Sequence, residues 1–307
     1  MRKILITGGA GFIGTNLISS LNKNYKNIEI TVLDNQSLGK ESDIDSNFKR
    51  FYDADISEEK TFENLNVDFD TVIHLAASTR VLESIKKPKL MLENNIIGTF
   101  HLLEFCRANK IRNVVIASTG GAIIGDSTKI ISEDSLPLPI SAYGASKLSV
   151  EAFSNAYNAS YDMNISCLRF TNVYGPRSQK KKSVIAKFFK KILNQEDLII
   201  YGDGFQERDY IYVGDVLKAI EICIEKKAKG VFQIATGKST SINSIIEIMK
   251  KLTELRFQSK IVHKDMRKGE VYKTSFSTIK AKEKINFQAR VCLKQGLERT
   301  WKWFIEN

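Results

Sequence analysis

Cysteine and histidine are scarce in this chain. Its 307 residues hold four cysteines, Cys106, Cys167, Cys223 and Cys292, far apart and with no C-x-x-C pair. Each sits among apolar neighbours, the setting of buried thiols rather than of disulfides or a structural zinc. The three histidines, His74, His101 and His263, are too dispersed for a catalytic metal, so no metal site is expected. Long hydrophobic runs are missing as well: no apolar stretch approaches the length that crosses a bilayer, and no membrane partner is expected. The start, "MRKILITGGAGFIG", is basic, but glycines break its apolar run within a few residues and no small-residue cleavage site follows. A mature, cytoplasmic protein is the expectation. Repeats and low-complexity tracts are also absent.

Charge is present in excess of one sign. Lys and Arg number 46 against 35 Asp and Glu, a formal net charge of +11, and "RSQKKKS" (177–183) is the densest patch. The lysines are otherwise spread along the chain beside Asn and Ile, as a biased composition produces, so nucleic acid is not expected as a partner. A basic surface can still draw in a small anionic substrate. The hydrophobic and charged fractions, 43% and 26%, are those of ordinary globular proteins able to bury a core.

Short β-rich runs alternate with longer segments of helical period. "KILIT" (3–7), "IEITVLD" (28–34), "TVIHLA" (71–76), "NVVIAS" (113–118), "ISCLRF" (165–170) and "VFQIA" (231–235) each end at or near a small or polar residue. Between them, "NLISSLNK", "GTFHLLEFCRAN" and "KLSVEAFSNAYNASY" repeat apolar residues at three and four. That alternation predicts βαβ units, hence an α/β fold with a doubly wound parallel sheet covered on both faces. After Asn172 the rhythm loosens into a basic loop, a lone helix ("VIAKFFKKILNQ") and the punctuated "YGDGFQERDY". A smaller C-terminal α/β lobe is expected to begin there. The division is 1–171 plus about 209–236 for the first domain, and 172–208 with 237–307 for the second.

The first predicted strand runs directly into "TGGAGFIGTNLISSL", so Gly8, Gly11 and Gly14 form a G-x-x-G-x-x-G turn that opens a helix. Such glycines admit a pyrophosphate to the backbone, and the helix N-terminus supplies free N–H groups with partial positive charge. Twenty residues after Gly14, Asp34 ends the second strand, where an acid can accept from a ribose hydroxyl. Glycines that merely turn a loop leave Asp34 unexplained. A Rossmann-like dinucleotide site follows, and the acid favours NAD over NADP, with Lys40 nearby as a counterweight. "ATGKST" is a decoy: a phosphate loop needs glycine five residues before Gly237, and Phe232 stands there.

In "SAYGASKLSVEAF" Tyr143 and Lys147 lie at i and i+4 and so share one helix face. A free tyrosine, with a pKa near ~10, is a poor base at neutral pH until positive charge stabilises its phenolate. Lys147 can supply that charge, and an oxidised nicotinamide adds more. The strand-end "STGG" offers Ser118 and Thr119 to hydrogen-bond a reacting hydroxyl. Hydroxyl, tyrosine and lysine on a dinucleotide fold describe hydride transfer at an alcohol carbon. A non-catalytic, regulatory dinucleotide-binding protein would be marked by loss of Tyr143 or Lys147, and both are present.

Taken in order, "TGGAGFIG", "VLDN", "DADI", "HLAA", "NIIGT", "STGGAIIG", "YGASK", "RFTNVYGPR", "YGDGFQERDYIYVGDV" and "RKGEV" resemble the extended short-chain dehydrogenase/reductase family over nearly the whole chain. The likeness is to its nucleotide-sugar epimerase/dehydratase branch, and most to UDP-glucose 4-epimerases. By that resemblance Gly8, Gly11, Phe12, Ile13, Gly14, Leu75, Ala76 and Ala77 line the cofactor site. Asp34 and Asn35 hold the adenosine ribose, Asp55 and Ile56 the adenine, and Asn95 lies near the cofactor. Asn172, Arg208 and Arg267 match positions that grip the diphosphate of a sugar nucleotide, with Glu270 also at the substrate; Arg80, a departure from the family pattern, is expected to border the same pocket.

The resemblance implies that Tyr143 removes the proton from the sugar 4-hydroxyl while the C4 hydride passes to NAD, and that rotation of the keto sugar lets hydride return on its other face. The substrate is then a UDP-hexose or UDP-N-acetylhexosamine. Dehydratases of the branch place an Asp-Glu pair where this chain has Gly120 and Gly121, so elimination of water is not expected. Two departures stand out: Ile124 occupies a usual tyrosine position, and Arg80 replaces a small residue. They point to an altered sugar, and keep open an NAD(P)H-dependent reductase of a 4-keto-6-deoxy sugar nucleotide. The resemblance also implies a homodimer, packed through helices near 93–109 and 143–160.

Overall fold

The computed structural model describes residues 2–65, 67–125, 127, 129–266 and 272–307. Seven parallel strands make the main sheet: β1 (Arg2–Thr7), β2 (Ile28–Asp34), β3 (Arg50–Asp53), β4 (Thr71–His74), β5 (Asn113–Thr119), β6 (Asn164–Phe170) and β10 (Gly230–Ile234). Their order is β10-β6-β5-β4-β1-β2-β3. From β1 the chain winds outward to β3, then returns to β4 on the other side of β1. The reversal leaves a crevice at the carboxyl ends of β1 and β4, where α/β sheets bind ligands.

Among the described residues, seven helices reach ten residues: α1 (Phe12–Asn24), α2 (Gly98–Ala108), α3 (Ala142–Ser160), α4 (Val184–Leu193), α5 (Val213–Lys226), α6 (Ile242–Thr253) and α7 (Leu293–Glu306). Side chains of β1 alternate between two cores, and that alternation decides which helices cover which face. Ile4 and Ile6 pack with Leu17 and Ile18 of α1 and Val216 and Ile220 of α5. Leu5 packs with Leu102 and Leu103 of α2 and Val150 and Tyr157 of α3. Each such fully buried aliphatic contributes about 1.5–3 kcal/mol. Strands buried on both faces need unbroken apolar runs, which is why "KILI" and "NVVI" show no polar alternation.

Two small sheets are built from strands that come after β6 in the chain. β7 (Asn172–Tyr174) and β9 (Glu207–Tyr212) run parallel, with β11 (Ser239–Ser241) antiparallel to β9. β8 (Leu198–Tyr201) and β12 (Ile261–Lys264) form a parallel pair. The buried Asp209 ties this region to the main sheet: its carboxylate accepts from the N–H groups of Thr236 and Gly237, just past β10. No helix among the described residues is long and apolar enough to cross a membrane.

Candidate active site

A cavity of about 1360 Å³ opens over the carboxyl ends of β1 and β4 and continues toward α4 and β9. Gly8 sits at its floor with φ of 71°, and a Cβ there would lie 2.5 Å from the backbone nitrogen of Ala76. Only glycine lets the turn after β1 reach the turn after β4. Gly14 is as confined, because a Cβ would meet the oxygens of Gly8 and Gly9 at 2.5 Å. Gly11 starts α1 without a side-chain cap, so first-turn N–H groups remain for a ligand. Phe12, Ile13, Leu75, Ala76 and Ala77 line the same wall.

Asp34 ends β2 at the far side of this turn. Its Oδ2 accepts from Ala10 N at 3.0 Å and its Oδ1 from Gln36 N at 2.9 Å. Burial, with Asp53 nearby, pushes its carboxyl up, and those two backbone bonds pull against the shift. Each oxygen keeps a lone pair for a ribose hydroxyl. Asn35 donates to Asp55 Oδ2 at 2.7 Å, and Asp55 and Ile56 line the adjoining wall. A backbone turn that only glycine fits, open N–H groups and an acid at the strand end suit a dinucleotide with a free ribose diol.

At the other end, Ser141 caps α3 by accepting from Gly144 N at 3.1 Å. Gly144 packs against the turn at 121–124, where a Cβ would stand 2.0 Å from Ala122 O. This close seat brings Tyr143 to Thr119, whose hydroxyl hydrogen-bonds the phenolic oxygen. Burial pushes the Tyr143 phenol up to about 12, and the Thr119 bond lowers it in part. Lys147, 3% exposed, donates to the carbonyl of Ala117 at 2.8 Å. Burial pushes its ammonium down to about 8, against a small upward pull from Cys167 and Glu151. All four chemical residues expected from the sequence line the cavity, but Ser118 is committed elsewhere. Its hydroxyl donates to Glu151 at 2.6 Å, and Glu151 in turn holds Arg169 at 2.8 Å in a buried ion pair.

Asn95 stands behind the wall rather than in it. It is 1% exposed, donates to Ser78 O and Ser146 Oγ, and accepts from Ser78 N, so it pins the loop after β4 to the helix that carries Tyr143. It lies in residues 92–97, which wind as a π-helix. Ile124 is also withdrawn from the cavity, packed with Ile123, Ile131, Ala235 and Phe276. Arg80 lines the cavity at the start of the helix Val81–Lys86, 3.7 Å from Glu83. Asn172 and Arg208 enter from β7 and β9; Asn172 donates to Asp209 O, and Arg208 to Glu207 O. Arg267 and Glu270 lie outside the described residues.

Three residues escaped the sequence reading. His74 bridges the hydroxyls of Thr7 and Thr99, and burial beside Lys147 pushes it down to about 3, so it is neutral. Its apolar neighbours in "TVIHLA" foretold burial, though not its partners. Gln233 lies under Gly120, where a Cβ would come within 2.5 Å of its Oε1. Lys181 lines the cavity beside Phe12, although the sequence shows only a run of like charges.

Residues 4–235 match the model of the NAD dependent epimerase/dehydratase family. A UDP-glucuronate 4-epimerase of Thermodesulfobacterium geofontis is 32% identical over 99% of this chain and 96% of its own length. Among solved structures, UDP-glucose 4-epimerase of Thermotoga maritima with UDP-glucose superposes with a TM-score of 0.93 and 36% identity, covering 99% of each chain. The UDP-glucose 4-epimerase of Thermus thermophilus in complex with NAD gives 0.91 and 30%, again over 99% of both.

Proposed function

The chain belongs to the NAD dependent epimerase/dehydratase family, and from that premise we propose that it inverts C4 of a UDP-hexose or UDP-N-acetylhexosamine. The observation that carries this reading is the contact of Thr119 with Tyr143, with Lys147 one turn further along α3, on the wall of a dinucleotide-shaped groove. NAD, when bound, supplies a hydride acceptor and donor at C4. Tyr143 takes the proton of the 4-hydroxyl and later returns it; Thr119 holds that oxygen in line; Lys147 and the cofactor's charge stabilise the phenolate. Proton transfer by a positioned group contributes on the order of 10²–10⁴-fold. Gly8, Gly11 and Gly14 would hold the pyrophosphate of NAD and Asp34 its ribose. Asn172, Arg208, Arg267 and Arg80 are assigned to the sugar nucleotide. Water elimination is not expected, since Gly120 and Gly121 stand where dehydratases of the branch carry an Asp-Glu pair and a Cβ at Gly120 would lie 2.5 Å from Gln233 Oε1.

The division into a cofactor domain (1–171 and about 209–236) and a substrate lobe (172–208 and 237–307) forms part of the proposal. So does a homodimer through residues 92–108 and α3. There Leu92, Ile97, Phe100 and Phe153, with Tyr161 just past the end of α3, are exposed, and Phe100 meets Phe153 edge to face at 6.0 Å. Light scattering on Phe100→Glu, with a halved mass expected, tests it. A cytoplasmic setting is in keeping with the free, buried thiols of Cys106, Cys167 and Cys223.

The test of the activity uses protein purified without added cofactor. What it releases is identified, and intact protein is incubated with UDP-glucose, UDP-galactose and their N-acetyl forms under NMR. Bound NAD and C4 inversion without net redox are expected. A requirement for added NAD(P)H and a keto sugar would replace the epimerase with the 4-keto reductase.

A further inference from the structure

The basic stretch 177–183 is one patch in sequence, and the fold takes it apart. Arg177 pairs with Asp45 and Lys180 with Asp43, which ties the loop after β7 to the turn after β2. Lys182 is exposed and borders the cavity. Lys181 alone turns inward: its Nζ donates to the carbonyl of Val173 at 2.7 Å and lies 5.1 Å from the centre of the Phe12 ring. Among the described residues no acid acts on it, and burial pushes its ammonium down to about 8.

A half-buried ammonium with no counter-charge among the described residues is unfavourable. The Phe12 ring face offsets part of that, and the Val173 carbonyl uses one of three N–H donors. Among the described residues the other two donors have no protein partner. The neighbouring elements indicate what would meet them. Phe12 is the first residue of α1, whose open N–H groups face the cavity, and Val173 follows Asn172 in β7. Lys181 therefore stands between the two places where a nucleotide's phosphates are expected.

We propose that Lys181 is a pyrophosphate-binding cation, donating across the groove between α1 and β7 to the diphosphate of a bound nucleotide. This rests on the nucleotide-sugar reading above and adds to it a residue that no sequence motif assigns. The diphosphate has two sources, the dinucleotide and the sugar nucleotide, and the side of the groove decides between them: Phe12 favours the first, Asn172 the second.

The experiment compares the wild-type protein with Lys181→Met, which keeps the stem on Phe12, and with Lys181→Arg. NAD retained through dialysis and the affinity of the NAD-loaded protein for UDP, by calorimetry, are read for each, with melting temperature as a check on folding. Lys181→Met is expected to weaken one of the two at least tenfold and to flatten its salt dependence, with Lys181→Arg recovering most of the loss. Faster NAD loss identifies the dinucleotide; weaker UDP binding identifies the sugar nucleotide. Both values within twofold of wild type in a folded variant overturn the proposal. Should Lys181→Met fail to fold, Lys181→Gln is read in the same way. A wild-type protein that binds UDP but inverts no sugar, with binding still lost in Lys181→Met, sustains Lys181 and overturns the epimerase.

Discussion

Lys147 donates to the carbonyl oxygen of Ala117 across 2.8 Å, and so the cation of α3 is anchored on the strand that carries Thr119. Strand, hydroxyl, phenol and ammonium are set by one another. Contacts within the protein fix these groups in place, and fixed placement is the condition for proximity to lower a barrier.

Tyr143→Phe removes the proton acceptor while leaving the ring in place. We expect C4 inversion to fall by about 10²–10⁴, with NAD content unchanged in the purified protein. Cofactor absorbance and NMR turnover on the same sample check both halves. Residual activity near wild type would remove Tyr143 from the mechanism.

Lys147 should leave its mark on stability as well as on rate. Its folded pKa, about 8, is below the ordinary 10.5, so between those values the unfolded chain binds more protons and stability rises with pH. The penalty is present in full below about pH 8 and relieved as pH climbs toward 10.5. At the roughly 1.4 kcal/mol per unit that links pKa to free energy, it amounts to about 3 kcal/mol. Lys147→Met is therefore expected to melt higher than wild type at pH 7, with the gap closing by pH 10, while activity collapses. Calorimetric scans at the two pH values decide it; a constant gap would refute the linkage.

The Glu151–Arg169 pair is buried, with side chains 5% and 4% exposed. Glu151→Ala strands the guanidinium and also frees Ser118, at an expected cost of about 3–5 kcal/mol. Replacing both members with apolar residues of similar volume should recover most of it. Urea unfolding of single and double variants measures the difference. Equal losses in the single and double variants would show that packing, not charge, governs the position.

Gly120→Asp restores one acid of the dehydratase arrangement, but its Cβ would stand 2.5 Å from Gln233 Oε1. We expect a loss of at least about 2 kcal/mol from crowding and a buried carboxyl, and no keto-deoxy product by NMR. A stable variant that eliminates water would show that Gln233 yields.

Much of the fold was legible because parallel strands announce themselves. The six quoted apolar runs became β1, β2, β4, β5, β6 and β10. The strand of the main sheet that no quoted run covers, β3, carries "RFYD" at the sheet edge with both ends exposed, so no apolar run marks it. The π-helical turn at 92–97 was equally silent, since "LENNII" has no signature of its own. In the site, glycine spacing and the Tyr143/Lys147 interval survive as local geometry, and those residues line the cavity together. Asn95 was placed only by similarity of motif, and Ser118 by its position at a strand end. Whether a hydroxyl or amide faces a ligand depends on which partner is nearer, and both found protein partners.

What the sequence determined by itself is whatever lies within a few residues: the glycine turn into α1, the acid ending β2, the cap at Ser141 and the one-turn interval of Tyr143 and Lys147. Tertiary structure decided everything set by contacts between distant segments. It turned Ser118 toward Glu151, closed Gly120 with Gln233, held His74 neutral, and split "RSQKKKS" into two surface ion pairs and one inward cation. The physical reason is range: backbone dihedrals and helical periodicity are encoded locally, whereas burial and charge pairing depend on which remote strand or loop arrives beside a side chain.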